Sequence, residues 1–362
     1  MKTGKRRLAA FAVVVATMLL ALVGVAAPAW AEGGSTNPQL SVTEGRVTIT
    51  SKLTMDKNAV EPNADFTYTI APAEASELTN TGMPVTAGVE GAVSLAPSSV
   101  NYSAKGLSSE VNADGKTKTI TVPLIASLVT SKFKAPGIYR YKITQQKPVL
   151  DGLNVTHEAL FLDVYVENNG TGYVVKGCTL SAEAGSGEKT DGFVNDYVTH
   201  MLTIKKIVAG NQGEKNKDFG FTFTIKGADG ESYEYATVKN GVTTMSQTTT
   251  KSGATFTETL KHGESVIVYG LSSNDTYAIN EADYSSVGYK TSYKIGESGT
   301  EVEGKVIEAT PIGASDALVA FTNTKDVTVP TDVIRTVVPY AAIVAFAAVM
   351  GVVFFRPRRN RR

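Results

Sequence analysis

The chain contains very little cysteine and histidine. Its 362 residues include one cysteine, Cys178, and three histidines. Exported proteins commonly stabilise small domains with disulfides, and one cysteine cannot form such a bond within the chain. The histidines are far apart in the sequence, at His157, His200 and His262. Cys-x-x-Cys and His-Glu-x-x-His motifs are also missing, so no metal site and no cofactor is expected.

An excess of one charge and the common catalytic motifs are missing as well. Lysine and arginine total 35, as do aspartate and glutamate, which leaves a formal net charge of zero. No broad basic surface for nucleic acid is therefore expected. Neither a Gly-x-Ser-x-Gly elbow nor a P-loop is present. An exported enzyme is a poorly supported reading of this sequence, and we expect a protein that is not an enzyme.

Long apolar runs stand at the two ends of the sequence. At the start, three basic residues at 5–7 precede an apolar run over residues 8–27. Ala29 and Ala31 then supply small residues at the −3 and −1 positions of a cleavage site. This pattern predicts a secretory signal peptide over residues 1–31, cut after Ala31. An uncleaved N-terminal membrane anchor is the alternative.

The second apolar run covers residues 337–355 and is followed by a basic cluster at 356–362. A helix needs about 20 apolar residues to span a bilayer, so this run is long enough. Basic residues beside a membrane span usually stay on the cytoplasmic side. The sequence therefore predicts a C-terminal transmembrane helix with a basic tail.

A short polar strip lies just before this predicted helix and contains Val329-Pro330-Thr331. A Val-Pro-Thr triplet in this position resembles a sortase sorting signal, in which a transpeptidase cuts after the threonine. Asp332 stands where the signal usually has glycine. We assign residues 327–362 as the sorting signal, with a plain membrane anchor as the alternative.

Between the two ends, short runs of alternating apolar and polar residues predict β-strands. Turn residues separate these runs, and only residues 125–133 suggest a short helix. The pattern is typical of an all-β chain of sandwich type. The predicted strands lie at 47–49, 66–70, 119–122, 139–143, 161–166, 202–204, 221–225, 265–269, 276–279 and 317–321.

The strand pattern restarts after Val198, which indicates an internal repeat. Residues 47–70 parallel residues 202–225, and each copy closes on a Phe-x-Asn triplet. We therefore predict two domains, at 40–198 and 199–326. The linker between them is short and is not rich in glycine or serine, so the domains should form a fairly stiff rod.

Tandem β-sandwich domains between a signal peptide and a Val-Pro-Thr sorting signal resemble the sortase-assembled backbone pilins of Gram-positive bacteria, in the streptococcal two-domain form. The resemblance implies Ig-like (CnaB-type) domains and a structural subunit anchored to the cell wall. It implies sortase, other pilin subunits and peptidoglycan as partners. A wall-anchored adhesin or minor pilin that binds a host ligand and is not polymerised is the alternative.

In that family each domain forms a spontaneous lysine–asparagine isopeptide bond with the help of a glutamate. In the second domain, strand alternation places Lys206 on the same face as Leu202 and Ile204, towards the core. The family pattern then assigns the glutamate to Glu281 and the asparagine to Asn323. Burial would lower the pKa of the lysine and raise that of the glutamate. A neutral amine can attack a carboxamide while a protonated carboxyl assists. The alternative is that Lys206 is a solvated strand lysine and Glu281 a turn residue.

The first domain departs from this pattern. In the repeat, Ser51 stands at the position of Lys206, and Lys52 follows it. Lys52 would face the opposite side of the strand unless a β-bulge intervened. Gln145 stands at the glutamate position, and glutamine cannot deliver a proton, although Asn195 is retained. We therefore predict that the first domain forms no isopeptide bond.

The resemblance also implies an acceptor lysine, which the sortase joins to the threonine of the next subunit. Lys189 lies shortly before Asn195 with small and polar neighbours, which predicts an exposed loop. Lys176 is the second choice. An ordinary solvated lysine is an equally open interpretation of Lys189.

Overall fold

A computed structural model of the chain describes residues 39–79, 84–185 and 188–327, together with Tyr340 and 343–347. The described chain is built from 26 strands and three short 3-10 turns, apart from a few helical residues at 340 and 343–347. The all-β sandwich prediction is thereby confirmed. The predicted signal peptide (1–31) and cleavage motif (329–332) lie outside the described residues, as does most of the apolar run. In the part of the chain that is described, no helix is long and apolar enough to cross a membrane.

The first half of the chain contributes 13 strands. These are β1 Gln39–Leu40, β2 Arg46–Asp56, β3 Asp65–Pro72, β4 Val85–Ala87, β5 Val93–Ala96, β6 Ser99–Asn101, β7 Ser109–Val111, β8 Thr117–Leu128, β9 Gly137–Gln146, β10 Leu153–Val155, β11 Ala159–Asn168, β12 Tyr173–Ser181 and β13 Gly192–Tyr197.

The second half contributes another 13 strands. These are β14 His200–Ala209, β15 Phe219–Lys226, β16 Ser232–Tyr233, β17 Tyr235–Lys239, β18 Val242–Met245, β19 Thr250–Lys251, β20 Thr255–Leu260, β21 Ser265–Leu271, β22 Thr276–Glu281, β23 Lys290–Ile295, β24 Glu301–Glu303, β25 Val306–Pro311 and β26 Ala317–Thr324.

Strands β1 to β13 form the first sandwich. One sheet has the order β1-β12-β11-β9-β3-β6 with β4 beside β9, and the other has the order β10-β13-β2-β8-β5 with β7 beside β8. Alternate residues of β2, including Ile49 and Leu53, point between the sheets and are fully buried. Each such side chain contributes about 1.5–3 kcal/mol through burial.

Strands β14 to β26 form the second sandwich. Its larger sheet has the order β18-β17-β21-β14-β26-β23-β24, and its smaller sheet has the order β20-β15-β22-β25. Strands β16 and β19 pair as a separate ribbon. The apolar core is distinct from that of the first sandwich and is rich in aromatic side chains such as Phe219, Phe223 and Phe321. We propose that the boundary between the two domains lies near residue 198, as the sequence predicts.

In both sandwiches the first long strand lies parallel to the last strand. Strand β2 pairs with β13, with Leu53 opposite Asn195. Strand β14 pairs with β26, with Val208 opposite Asn323. Because the repeat starts and ends on these strands, the two ends of each sandwich lie side by side in one sheet. This arrangement brings residues far apart in sequence into one site.

The short helix suggested at residues 125–133 is wrong for most of its length. Strand β8 continues to Leu128, because Leu124, Ala126 and Leu128 alternate with exposed or half-buried residues and fill the core. A 3-10 turn over Thr130–Lys132 is the helical part of this segment. The apolar spacing of two residues, rather than three or four, decides in favour of the strand.

Contacts between the two sandwiches surround the short connection from β13 to β14. The Asp151 carboxylate accepts hydrogen bonds from the Ser273 hydroxyl at 2.9 Å and from the Asn274 side chain at 3.0 Å. On another part of the junction, a Cβ at Gly270 would lie 3.1 Å from the Ala59 Cβ, and the φ of Gly270 is +81°. Both the close approach and the left-handed backbone therefore favour glycine there.

A tyrosine hydroxyl and two carboxyl groups meet beside this junction. The Tyr233 oxygen lies 2.9 Å from a Glu231 oxygen and 3.0 Å from an Asp275 oxygen. A hydroxyl has one hydrogen, and an ionised carboxylate only accepts, so both contacts are hydrogen bonds when one carboxyl is protonated. Burial raises the pKa of Asp275 to about 6, and the nearby charges of Glu231 and Asp151 act in the same direction. The backbone N–H of Ser272 opposes this rise by donating to Asp275 at 2.9 Å.

This cluster predicts a pH-dependent stability of the second sandwich. A carboxyl whose pKa rises on folding stabilises the fold fully below its unfolded pKa, and this stabilisation is lost as the pH rises through the folded value. Between pH 4 and 7 we expect the free energy of unfolding to lose about 2–3 kcal/mol through Asp275. Thermal unfolding of the wild type and of Asp275→Asn over that range measures this loss as the difference between their pH slopes. Equal slopes would contradict the assignment.

Candidate isopeptide sites

Lys206 is fully buried in the core of the second sandwich. Strand β14 alternates, so that Leu202, Ile204 and Lys206 point inwards while Lys205 is exposed. The Lys206 ammonium nitrogen lies 4.4 Å from the centre of the Phe219 ring. Because Lys206 is fully buried, water does not reach its amine. The face of the Phe219 ring attracts the ammonium only weakly and does not replace the hydrogen bonds of water.

Glu281 is the polar partner of this lysine. It ends strand β22 and is fully buried. Lys206 Nζ donates to Glu281 Oε1 at 2.9 Å. The other carboxylate oxygen, Oε2, has no hydrogen-bond partner among the described residues. A buried carboxylate with one unpaired oxygen is costly to ionise, so the site favours a protonated carboxyl.

Asn323 lies on the neighbouring strand β26 and is also fully buried. In the described chain, neither its amide oxygen nor its amide nitrogen forms a hydrogen bond. Leaving such a group unpaired costs about 1–3 kcal/mol, so two unpaired atoms on one side chain call for an explanation. The Asn323 side chain is close enough to the Glu281 carboxyl to lower its pKa.

Burial shifts the pKa values of the charged pair in opposite directions. It lowers the pKa of Lys206 to about 8, and the charge of Glu281 opposes this change. It raises the pKa of Glu281, while Lys206 and the nearby side chain of Asn323 act in the opposite sense. Both directions favour the transfer of a proton from the ammonium to the carboxylate. The resulting neutral amine has the lone pair that a nucleophile needs.

The equivalent position in the first sandwich holds a neutral network. Ser51 is fully buried, and its hydroxyl lies 2.5 Å from that of Tyr68 and 2.6 Å from that of Tyr102. Tyr68 donates to the Gln145 side-chain oxygen at 3.0 Å. Gln145 in turn donates to the Asn195 oxygen at 2.8 Å. Unlike the amide of Asn323, the buried amide of Asn195 is fully bonded.

Lys52 points away from this network. Strand β2 pairs with β13 and β8 without a register shift, so no bulge turns Lys52 inwards. Its ammonium forms a salt bridge with Asp191 at 2.8 Å on the half-exposed face. Neither Ser51 nor Lys52 therefore presents an amine to Asn195.

Sequence reasoning missed the two tyrosines of the network. The sequence did contain an indication for Tyr68. The repeat aligns it with Phe223, and a tyrosine in place of a core phenylalanine brings a hydroxyl that needs a polar partner. No such indication existed for Tyr102, because it follows strand β6 in a segment without a counterpart in the repeat. The two hydroxyls occupy the space beside Ser51 in which a longer side chain would have to fit.

Lys189 is half-buried rather than exposed. It forms an isolated β-bridge with Ser181 at the end of strand β12. Burial lowers the pKa of Lys189; the negative charge of Asp163 raises it, and the positive charge of Arg140 lowers it. Those two residues form a buried ion pair at 2.7 Å. The second choice, Lys176, is more exposed and lies 3.4 Å from Glu167.

Comparisons with known proteins agree with this architecture. Residues 47–198 match the model of a Spy0128-like isopeptide containing domain, and residues 200–325 match a domain of unknown function. A pilin from Streptococcus pyogenes serotype M1 is 30% identical over an alignment of 337 residues, which covers 88% of this chain and 92% of that protein. The crystal structure of the major pilin from Streptococcus pyogenes has a TM-score of 0.53 at 27% identity, and the match covers 79% of this chain and all of that one.

A shorter match is to a pilus tip adhesin of Streptococcus pyogenes, 37% identical over 134 residues and 18% of that protein. The pilin relative and the major pilin structure described above each match most of this chain. The relatives that cover most of this chain are structural pilins, not enzymes. The chain belongs to the streptococcal pilin family.

Proposed function

We propose that this chain is the shaft subunit of a covalent pilus. We further propose that an isopeptide bond between Lys206 and Asn323 stabilises its second sandwich. The observation that carries the proposal is the buried group of Lys206, Glu281 and the unpaired amide of Asn323. Cross-links of this kind replace the disulfides that a chain with one buried cysteine cannot form.

The chemistry requires one proton transfer and one acyl transfer. Lys206 passes a proton to Glu281, and its neutral Nζ attacks the side-chain carbonyl carbon of Asn323. Glu281, now protonated, donates a hydrogen bond to the carbonyl oxygen as charge develops there. The C–N bond of the carboxamide breaks, and its nitrogen takes the proton carried by Glu281 and leaves as ammonia. Glu281 then accepts the second proton that the Lys206 nitrogen loses as it becomes an amide nitrogen. The product is a secondary amide, and the reaction occurs once in each molecule.

Assembly then requires a second amide bond between subunits. We propose that sortase cleaves after Thr331, with Val329 and Pro330 as recognition residues and Asp332 on the leaving side. Lys189 of the next subunit receives the threonine, and the final transfer is to peptidoglycan. Partial burial supports this choice of acceptor, because it lowers the pKa of Lys189 and so raises the fraction of neutral amine.

Replacing the acceptor tests this assembly. Lys189→Arg keeps the charge but removes the primary amine, so the high-molecular-weight ladder on a denaturing gel should collapse to monomer. Lys176→Arg is the matched control and should leave the ladder unchanged. Immunoblots of cell-wall extracts measure both. A ladder that persists in Lys189→Arg and disappears in Lys176→Arg would move the acceptor to Lys176.

An adhesin or minor pilin is the second candidate function. The partial match to a pilus tip adhesin supports it. A subunit of that kind would be attached to the wall or to a shaft without being polymerised, and it would bind a host ligand. Wall extracts of the wild type would then contain a band of monomer size or a single adduct in place of a ladder.

A further inference from the structure

We infer that sortase recognises the folded end of the second sandwich together with the sorting signal, because a loop of this domain holds the chain directly before the signal. This loop, the exit clamp, consists of residues 210–213, which follow strand β14. The inference rests on the proposed function, since it takes cleavage after Thr331 as given. It goes beyond that function by adding a recognition element outside the signal.

The exit clamp continues the pairing of strands β14 and β26 past the end of their ladder. The last paired residues of that ladder are Ala209 and Thr324. Beyond them, the Lys325 N–H donates to the Ala209 carbonyl at 3.1 Å, and the Gln212 N–H donates to the Lys325 carbonyl at 3.0 Å. The loop therefore holds the backbone after the sheet itself has ended.

Asn211 forms the contacts that lie closest to the sorting signal. Its side-chain oxygen accepts a hydrogen bond from the Val327 N–H at 2.9 Å, and its side-chain nitrogen donates to the Val327 carbonyl at 3.3 Å. The side-chain amide thus pairs with both backbone groups of one residue, as a neighbouring strand would. The Asn211 backbone N–H also donates to the Asp326 carboxylate at 2.8 Å. Residues 325–327 are therefore each bonded to the clamp.

Glycine at position 210 allows the loop to approach the chain this closely. The φ of Gly210 is +89°, and a Cβ there would lie 2.3 Å from the Lys325 carbonyl oxygen. Both the left-handed backbone and the close approach therefore require glycine. Lys325 is held through its side chain as well, because its ammonium lies 5.4 Å from the centre of the Tyr289 ring. The end of the strand is fixed by its backbone and by its side chain.

The equivalent turn of the first sandwich is built differently. In the repeat, Asp56 stands at the position of Asn211. Its carboxylate accepts a hydrogen bond from the Asn58 N–H at 2.8 Å, within its own turn. The chain that leaves strand β13 is bonded at another place, where the Val198 N–H donates to the Gly152 carbonyl at 2.9 Å. That chain continues into strand β14, so the clamp belongs to the exit that leads to the sorting signal.

The sorting signal begins almost at the clamp. In the sequence, Thr328 alone stands between Val327 and the triplet Val329-Pro330-Thr331. One residue spans at most about 3.6 Å, so an enzyme that binds Val329 must approach the fixed backbone of Val327 closely. The Val327 side chain is 49% exposed, so the clamp holds its backbone and leaves its side chain open to a partner. The enzyme therefore meets the signal and the folded end together.

Holding the chain in one conformation before binding strengthens this recognition. Ordering one free backbone residue weakens binding by roughly 5- to 30-fold, and the clamp already orders residues 325–327 in the free protein. The signal itself departs from the usual pattern, since Asp332 stands where glycine is usual. Contacts with the folded end supply affinity that does not depend on this position.

Cleavage of the detergent-solubilised full-length chain by the purified sortase of its pilus tests the inference. Asn211→Ala removes the side-chain pair with Val327 and leaves the signal unchanged. We expect KM to rise about tenfold while kcat stays within about twofold, because the freed tail must be ordered on binding and the reacting atoms are the same. Asn216→Ala changes an exposed asparagine later in the same loop and should keep the wild-type KM.

A Gly-Ser-Gly-Ser spacer inserted after Thr328 separates the signal from the folded end without removing the clamp. It moves the signal away by up to about 14 Å, and we expect a rise in KM similar to that of Asn211→Ala. Hydrogen exchange at the Val327 amide monitors the clamp itself. This amide should be protected in the wild type and in the spacer variant, and it should exchange rapidly in Asn211→Ala.

The outcomes separate this inference from the proposed function. A wild-type KM in both variants would overturn the inference, and so would a lower KM, which would show that the clamp obstructs the enzyme. A rise in Asn211→Ala without one in the spacer variant would also overturn it, because ordering of the chain alone would then explain the effect. If the wild type is not cut after Thr331, the sortase step of the proposed function is refuted instead.

Discussion

The mature ectodomain should weigh about 17 Da less than its sequence mass, because one ammonia leaves when Lys206 joins Asn323. Glu281→Gln should restore the full mass, since glutamine has nearly the same shape and cannot relay the proton. Lys206→Ala and Asn323→Ala should restore it by removing a reactant. Intact-mass spectrometry of the four proteins measures the bond directly.

The same variants should lose much of the stability of the second sandwich. By analogy with a disulfide that closes a loop of about 100 residues, the bond contributes roughly 4–5 kcal/mol. For a domain of this size, the loss corresponds to a fall in melting temperature of roughly 15–30 °C. Differential scanning calorimetry measures the fall, and Asn323→Ala gives the clearest value because it keeps the Lys206–Glu281 pair, whereas Glu281→Gln also leaves a buried ammonium without an ionic partner.

Lys205→Ala is the matched control for both measurements. Lys205 is the exposed neighbour on the same strand, so the mass deficit and the melting temperature should stay as in the wild type. A wild-type mass equal to the sequence mass would refute the bond. A deficit of about 34 Da would show that the first sandwich forms one as well.

Ser51→Lys should destabilise the first sandwich by roughly 3–5 kcal/mol without any change in mass. The new side chain enters a space in which the hydroxyls of Tyr68 and Tyr102 already lie within 2.6 Å of the serine oxygen. Its ammonium would face Gln145, which cannot accept a proton. The result is a buried charge without an ionic partner, together with overpacking. Denaturant unfolding and intact mass measure the two effects.

Lys52→Ala provides the comparison for this prediction. Its salt bridge with Asp191 lies on the half-exposed face, where such pairs contribute about 0–1 kcal/mol. A loss of several kcal/mol in Lys52→Ala would show that the outward lysine has a structural role in the site. A mass deficit that grows by about 17 Da in Ser51→Lys would show that the first site still supports the reaction without a glutamate.

The inward direction of Lys206 could be predicted from the sequence, because side chains of a strand alternate with a period of two. The retained Phe-x-Asn triplets and the repeat also indicated which residues to compare between the domains. The same repeat predicted the altered first site, since Ser51 and Gln145 differ from their counterparts in charge and in reach. These inferences depend on local geometry, which a linear pattern contains.

The half-burial of Lys189 could not be predicted in this way. Small and polar neighbours indicated an exposed loop, but the residue lies beside strand β12 and near the buried pair of Arg140 and Asp163. The helix prediction for residues 125–133 was wrong for a related reason, since apolar content alone does not distinguish a short helix from the end of a long strand. In both cases the deciding contacts come from distant parts of the chain.

The sequence by itself determined the all-β class, the tandem repeat and the residue types available at each site. Only the tertiary structure decided that the buried Asn323 amide has no hydrogen-bond partner within the described part of the chain, whereas the Asn195 amide is bonded at both its oxygen and its nitrogen. The reason is that satisfying a buried polar group depends on which side chains the packed sheets bring within about 3 Å of it. Tyr102 reaches the first site from a turn with no counterpart in the second sandwich, and no spacing within the sequence specifies that approach.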